Sequence, residues 1–305
     1  MHKRLLSRSG RTARNAALAV AVLALTGCVS PVRHTTVVPP SEAPAPALEA
    51  TLSDLLARLN EQTDTIKTLT ATVDFEPTTG SVYSGVIKEY HDVKGFILLR
   101  KPSMIRILGQ APVVRTDIFD MVSDGHEFKV SIPPKHKFIV GPTDLKRPTK
   151  NALENLRPQH ILEALAIPPI DRTNQPVSFE EDEGNGHRYY VVTVLEAAGT
   201  GEFFPLRRIW FDRADLNVAR VQIYGPKGHS VEDVRYSGYR DFGGVTYPTD
   251  IQLRRPVEDY ALAITVQKAV FNQPIPPEKF ELKKPPNAEL VDLSEAAQPE
   301  DQHGK

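Results

Sequence analysis

The chain has 305 residues, of which 40% are hydrophobic and 25% charged, and its formal net charge is −1. This length and apolar content suffice for one large β domain or two small ones with a packed core, which excludes a disordered body. Without the five basic residues among the first 27, the formal charge is about −6, and this mildly acidic balance argues against nucleic acid as a partner, which binds basic surfaces. A single cysteine excludes an internal disulfide and a cysteine-rich metal site.

The first 27 residues have the pattern of an export signal. Five lysine or arginine residues precede a ten-residue apolar run over 16–25. As a helix this run rises only about 15 Å, half of a hydrocarbon core, so it predicts a cleaved signal rather than a membrane span. Leu25, Thr26 and Gly27 precede Cys28 and resemble the bacterial lipobox, in which the cysteine becomes the acylated first residue. We predict a membrane anchor formed by lipid on Cys28; a plain signal peptide with an incidental cysteine is the alternative.

The segment after the signal changes from irregular to helical. Residues 28–48 are rich in proline, alanine and threonine and have no periodicity, which predicts an extended tether. Leucines then recur at helical spacing over 52–59, and Thr51 three residues before Asp54 resembles a capping box. We therefore expect an amphipathic helix at the start of the folded domain.

The remainder is predicted to consist mostly of strands. Alternation over 69–75 begins a series of about seven, a helical segment interrupted at Pro158 follows over 149–166, and about seven more strands come after it. Strands and helices do not alternate, which excludes Rossmann and TIM-barrel layouts. We predict a mainly β (α+β) domain over 49–290, built on a large antiparallel sheet with helices on one face or at one mouth, and a disordered tail over 291–305.

Motifs for catalysis or metal binding are missing from the sequence. The nine histidines are scattered without metal-ligand spacing, and no Walker loop, dinucleotide fingerprint or nucleophile elbow occurs. The acidic run Glu180–Glu183 precedes two glycines and predicts a solvated hairpin loop, with weak calcium binding as the alternative. We therefore expect no enzyme activity, no metal and no cofactor.

Several short motifs resemble the lipoprotein-carrier family of the bacterial envelope, the LolA and LolB group and related outer-membrane lipoproteins. The motifs are Leu99–Arg106, Val122–Gly125, Ile209–Asp212, Tyr236–Tyr239, Gly243–Pro248 and Pro276–Phe280. The resemblance implies a half-open antiparallel β-barrel with an N-terminal helix, a helical lid insert and a hydrophobic cavity for acyl chains. The family supplies no catalytic residues. LolB is itself anchored by lipid, as we predict for this chain.

Apolar residues two positions apart on a strand share a face and are candidates for the wall of such a cavity. We expect several of them to line a concave pocket beside the helical insert: Phe96 with Leu98, Ile105 with Ile107, Phe119 with Met121, and Ile251 with Leu253.

Two functions follow from these predictions. The first is an envelope lipoprotein that binds a lipid or acylated ligand in its half-barrel, for lipid or lipoprotein transport or sorting. The second is a non-transporting scaffold, or a lipoprotein that binds a partner protein. Val29 rather than aspartate follows Cys28, which in enteric bacteria favours the outer membrane, facing the periplasm.

Overall fold

The computed structural model describes residues 46–81, 86–89, 93–145, 155, 157–173, 175–184, 186–199 and 201–294. The chain divides into two compact units, Met1–Pro44 and Ala45–Lys305, and the first lies outside the described residues. The predicted signal peptide, the lipobox with Cys28 and most of the tether lie there. Within the described ranges, no helix is long and apolar enough to cross a membrane.

Two α-helices lie in the described part of the second unit. Helix α1 (Leu52–Thr65) begins with the predicted capping box, in which the Thr51 side chain accepts from the backbone N–H of Asp54 and the Asp54 carboxylate accepts from that of Thr51. Helix α2 (Pro158–Leu165) lies in the predicted helical insert. Pro158 occupies its first turn, where the missing N–H costs no hydrogen bond; of the part of the predicted insert before Pro158, residues 149–154 and 156 lie outside the described residues.

Seventeen strands are described. They are β1 (Thr68–Ser81), β2 (Val86–Glu89), β3 (Val93–Arg100), β4 (Met104–Gln110), β5 (Asp117–Ser123), β6 (Glu127–Ile132), β7 (Lys137–Pro142), β8 (Val177–Gly184), β9 (His187–Ala197), β10 (Phe203–Asp212), β11 (Val218–Tyr224), β12 (Ser230–Ser237), β13 (Arg240–Asp241), β14 (Thr246–Tyr247), β15 (Asp250–Arg255), β16 (Tyr260–Phe271) and β17 (Glu289–Asp292).

Fifteen of these strands form one sheet in the order β17-β7-β6-β5-β4-β3-β1-β16-β15-β12-β11-β10-β9-β8, with β2 paired to β1 beside this path. The pairing is antiparallel except between β7 and β17. The end strands β8 and β17 do not pair with each other, so the sheet stays open. The structure is mainly β, with a large open antiparallel sheet and few helices among the described residues. It confirms the predicted fold class.

One apolar face of the sheet and both helices share a single core. Leu55 and Leu59 of α1 and Ile161 and Leu165 of α2 are buried against inward-facing side chains of both halves of the sheet. The helices therefore supply the second layer that a sheet with one apolar face requires.

The acidic run forms part of an edge strand, so the prediction of a hairpin loop over Glu180–Glu183 was wrong. These residues lie on β8, and almost every β8 side chain is exposed. Arg213 pairs with Glu181 at 2.7 Å, and the Trp210 indole donates to Asp182 at 3.2 Å. Side chains from β10 and from the turn that follows it thus contact the acids across β9, and the charge of β8 discourages pairing with another chain at the free edge.

The folded region extends beyond the predicted boundary at residue 290. After β16 the chain crosses the face of the sheet opposite the core, where Arg100 stacks on the Phe280 ring at 5.2 Å and Arg106 donates to the Lys279 carbonyl. Strand β17 then pairs with β7, and Leu293 is buried in the core. Residues 291–294 therefore do not belong to a disordered tail, while 295–305 lie outside the described residues.

Candidate ligand pocket

An apolar pocket of about 210 Å³ opens at one end of the sheet, beside the core. One wall comes from β5 and β6, with Phe119, Met121, Val130 and Ile132. The opposite wall comes from the end of β1 and the start of β16, and includes Tyr260. The lining is almost entirely apolar, so the pocket is suited to an apolar ligand and offers little to a sugar or nucleotide.

Two glycines, Gly95 and Gly109, make room for the aromatic rings of Phe75 and Phe119 beside the pocket. A Cβ on Gly109 would stand 2.4 Å from the Phe119 ring, and one on Gly95 would stand 2.2 Å from the Phe75 ring. Each ring therefore lies directly on a glycine backbone, and the two ring centroids are 6.0 Å apart. Phe75 is fully buried and closes the core, whereas Phe119 is half-buried and forms the pocket wall.

The eight predicted cavity residues fall into three groups. Phe119 and Met121 line the pocket. Ile105, Ile107, Ile251 and Leu253 lie on the same face of the sheet but are fully buried in the core, with at most 1% of their surface exposed. Phe96 and Leu98 lie on the opposite face, since β3 buries Gly95, Ile97 and Leu99 instead. The prediction that Phe96 lines a concave wall was wrong, because its side chain is 43% exposed on the other face. Leu98 is two residues further along β3, so it lies on that same outer face and cannot line the pocket either.

A buried polar cluster, defined as Arg157, His160, Glu232, Arg255 and Glu258, lies between α2 and the sheet. Arg255 bridges the two carboxylates, at 2.5 Å from Glu232 and 2.7 Å from Glu258. Burial raises the pKa of Glu232 to about 7, although Arg255 acts in the opposite direction. The His160 Nδ1 lies 3.1 Å from the Tyr260 hydroxyl, and burial lowers the His160 pKa well below its usual value, so the ring is neutral.

Tyr260 joins this cluster to the pocket. Its side chain lines the pocket wall and its hydroxyl meets His160 of α2. Sequence reasoning missed the cluster because its members come from three separate segments of the chain and carry no common spacing. The one available signal was the occurrence of Glu232 within the strand pattern of β12, where a charged residue at an inward position needs a partner.

Helix α2 is fixed against the sheet. The hydroxyls of Tyr236 and Tyr247 donate to the carbonyls of Ala164 and Leu165, at 2.9 and 2.7 Å. These are carbonyls of the last helical turn, which have no partner within the helix. Helix α2 therefore packs as a buried plug on the core face of the sheet, and the apolar pocket lies at one end of that face.

The hairpin between β4 and β5 lies at the same end of the sheet as the pocket. Its tip carries Val113 and Val114, which are 89% and 69% exposed. Phe119, at the start of β5, lies just beyond this hairpin and lines the pocket. Two adjacent valines exposed to this degree form an apolar tip beside the pocket mouth.

Comparison of the chain with known proteins found similarity only at the level of structure. No protein-family model and no curated protein matches the chain. A LolA superfamily protein from Nitrosomonas europaea is 12% identical, with a TM-score of 0.46 over 77% of this chain and 99% of that one. A putative outer-membrane lipoprotein-sorting protein domain from Vibrio parahaemolyticus is 10% identical, with a TM-score of 0.48 over 74% and 94%. A DUF1329 family protein from Desulfovibrio piger is 13% identical, with a TM-score of 0.48 over 75% and 95%. The group whose resemblance the sequence indicated is thus among these similar structures.

A larger, polar pocket of about 400 Å³ lies elsewhere on the domain. His187 pairs with Asp212 at 2.8 Å at its edge, and the His187 side chain is 57% exposed. Among the described residues no group of three or more histidine, cysteine, aspartate or glutamate side chains is placed to hold a metal ion. The apolar pocket remains the better candidate because its wall is apolar and includes Tyr260, whose hydroxyl contacts His160 of the buried polar cluster.

Proposed function

We propose that this chain is a lipid-anchored protein of the bacterial outer membrane that binds an acyl chain of a lipid or lipoprotein in the apolar pocket, in transport or sorting. The pocket carries the proposal, because it is the part of the concave face that neither helix fills. Each CH₂ group transferred from water to such a wall contributes about 0.8 kcal/mol before ordering costs. This is a binding role and requires no catalytic group.

Two features support a membrane-side location for the binding event. The apolar tip Val113–Val114 stands at the end of the sheet where the pocket opens. The lipid predicted on Cys28 would hold the domain near a bilayer through the tether. We propose that the tip touches the apolar surface from which the acyl chain enters.

The experiment measures binding of octanol, a neutral single chain, to residues 45–305 by isothermal titration calorimetry. This segment is one compact unit and contains all the core residues that the structure describes. We expect binding with a negative heat-capacity change, the signature of apolar burial. Val130→Phe places a ring in the pocket and should abolish binding.

The matched control is Val270→Phe, the same exchange on a side chain that is 38% exposed on β16. It should leave octanol binding unchanged. If the wild-type protein does not bind octanol, or if both variants bind it equally well, the carrier proposal fails and the scaffold function is favoured.

A further inference from the structure

The polar pocket of about 400 Å³ draws much of its lining from the face of the sheet opposite the core. Tyr189 on β9, Arg235 on β12 and Gln252 on β15 line it, and each alternates along its strand with side chains that are buried in the core. Small-molecule sites span roughly 300–1,000 Å³, so the pocket is large enough to hold one small polar molecule.

Two aromatic rings form a flat surface in this pocket, the aromatic ledge, defined as His187 and Tyr189. The two residues are two positions apart on β9, their ring centroids are 6.0 Å apart, and their planes differ by only 18°. The His187 Nδ1 lies 2.8 Å from the Asp212 carboxylate. Because a carboxylate only accepts, Nδ1 donates, and this bond fixes the orientation of the imidazole ring.

Several hydrogen-bonding groups of the lining have no protein partner. Arg235 and Gln252 lie directly opposite each other in the register of β12 and β15. Within the described residues, neither of them nor the Tyr189 hydroxyl forms a hydrogen bond or ion pair with another side chain. Arg220, the neighbour of Arg235 on β11, is by contrast held by Asp233 through bonds of 2.8 and 2.7 Å. A guanidinium, an amide and a phenol thus face the pocket with free donors.

The charges around the pocket are close to balance. Asp212 pairs with His187, and both oxygens of Asp215 accept from Asn217, at 2.9 and 2.7 Å. The acids of the lining therefore have partners, and Arg235 adds one positive charge against them. This balance favours a neutral ligand over a strongly charged one. An apolar ligand would cover the free donors without replacing their bonds to water, which is costly.

We propose that the polar pocket binds a neutral saccharide of one or two rings, with one face of a sugar on the aromatic ledge and its hydroxyl groups on Arg235 and Gln252. A sugar ring has an apolar C–H face and a rim of hydroxyl groups that both donate and accept. It therefore matches an aromatic surface beside planar hydrogen-bonding groups. This is a second binding site, and it does not rest on acyl-chain binding in the apolar pocket.

The two pockets lie at opposite ends of the strands. Tyr260 of the apolar pocket is opposite Arg255, at the end of β15, whereas Ser237 of the polar pocket is opposite Asp250, at its start. A domain that turns the apolar pocket towards a bilayer therefore turns the polar pocket away from it. This placement favours a saccharide of the surrounding envelope over the head group of a lipid in the same bilayer.

The test is an NMR titration of isotope-labelled residues 45–305 with N,N′-diacetylchitobiose, a neutral disaccharide. We expect saturable shifts of signals from the polar pocket, with a Kd on the order of 1 mM. Tyr189→Ala removes half of the aromatic ledge and should weaken binding about tenfold, whereas Tyr189→Phe keeps the ring and should stay within about threefold of wild type. Arg235→Ala, which removes exposed hydrogen-bond donors, should weaken binding about fivefold.

The matched control is Tyr224→Ala, the same exchange on a half-buried tyrosine of β11 that does not line the polar pocket. It should leave the affinity unchanged. If Tyr189→Ala lowers the melting temperature, Arg235→Ala decides, because its side chain is exposed and supports no core contact.

Four outcomes overturn the inference. They are no saturable shift up to about 20 mM disaccharide, wild-type affinity in Arg235→Ala, an equal loss in Tyr189→Ala and Tyr224→Ala, and saturable shifts in the polar pocket with sodium acetate but none with the disaccharide. The last result would show a simple anion site at Arg235. Octanol binding is measured separately, so failure of the saccharide site leaves the proposed function standing, and loss of octanol binding leaves the saccharide site standing.

Discussion

The buried carboxylate of Glu232 makes a quantitative prediction about pH. Its side chain is 1% exposed, and burial raises its pKa from 4.5 to about 7. Below pH 4.5 the folded and unfolded chains both hold the proton, so Glu232 adds no pH dependence. As the pH rises from 4.5 to about 7, Glu232 ionises first in the unfolded chain. The folded state therefore loses about 3 kcal/mol of stability in all. Glu232→Gln, which resembles the protonated acid, should remove this loss.

Urea denaturation of wild type and Glu232→Gln at pH 5 and pH 8 tests the reasoning. The free energy of unfolding of the variant, minus that of wild type, should be about 2 to 3 kcal/mol larger at pH 8 than at pH 5, so the variant is relatively more stable at high pH. Glu278 is exposed, so Glu278→Gln serves as the control and should follow the wild-type pH dependence. Parallel profiles of wild type and Glu232→Gln would refute the account of this cluster.

Three further predictions concern the core, the apolar tip and the anchor. Gly95→Val brings new atoms into the buried aromatic ring and should lower the free energy of unfolding by about 1–3 kcal/mol, whereas Gly184→Val, where a Cβ meets nothing within 4 Å, should change it by less than about 0.5 kcal/mol in urea denaturation. Val113→Glu combined with Val114→Glu should weaken co-sedimentation of residues 45–305 with neutral lipid vesicles without lowering the melting temperature; unchanged sedimentation would refute a role for the tip. Cys28→Ala should abolish incorporation of labelled palmitate by the full chain, and equal labelling of variant and wild type would contradict the lipobox prediction.

Local patterns predicted much of this fold. The alternation over 69–75 lies within β1, and the leucines at helical spacing lie on α1. These signals succeed because each element buries one face, so the period of the apolar residues is recorded in the chain itself. The predicted capping box is a contact between residues three apart, which the sequence specifies directly.

The candidate site was only partly predictable because its parts are far apart in sequence. Strand β3 reads as apolar on both faces, so the pattern did not reveal that Phe96 points outward. The deciding feature is Gly95, whose missing side chain admits the Phe75 ring from a neighbouring strand. The pairing of Arg255 with Glu232 likewise depends on sheet register, which no local pattern encodes.

The central claim is that the apolar pocket holds an acyl chain. A crystal structure of residues 45–305 soaked with octanol carrying a terminal bromine tests this most directly, because anomalous scattering locates the bromine atom. The account predicts a single strong anomalous peak within van der Waals distance of Phe119, Met121 or Val130. An anomalous peak on another surface of the protein, with no peak in the apolar pocket, would contradict the account.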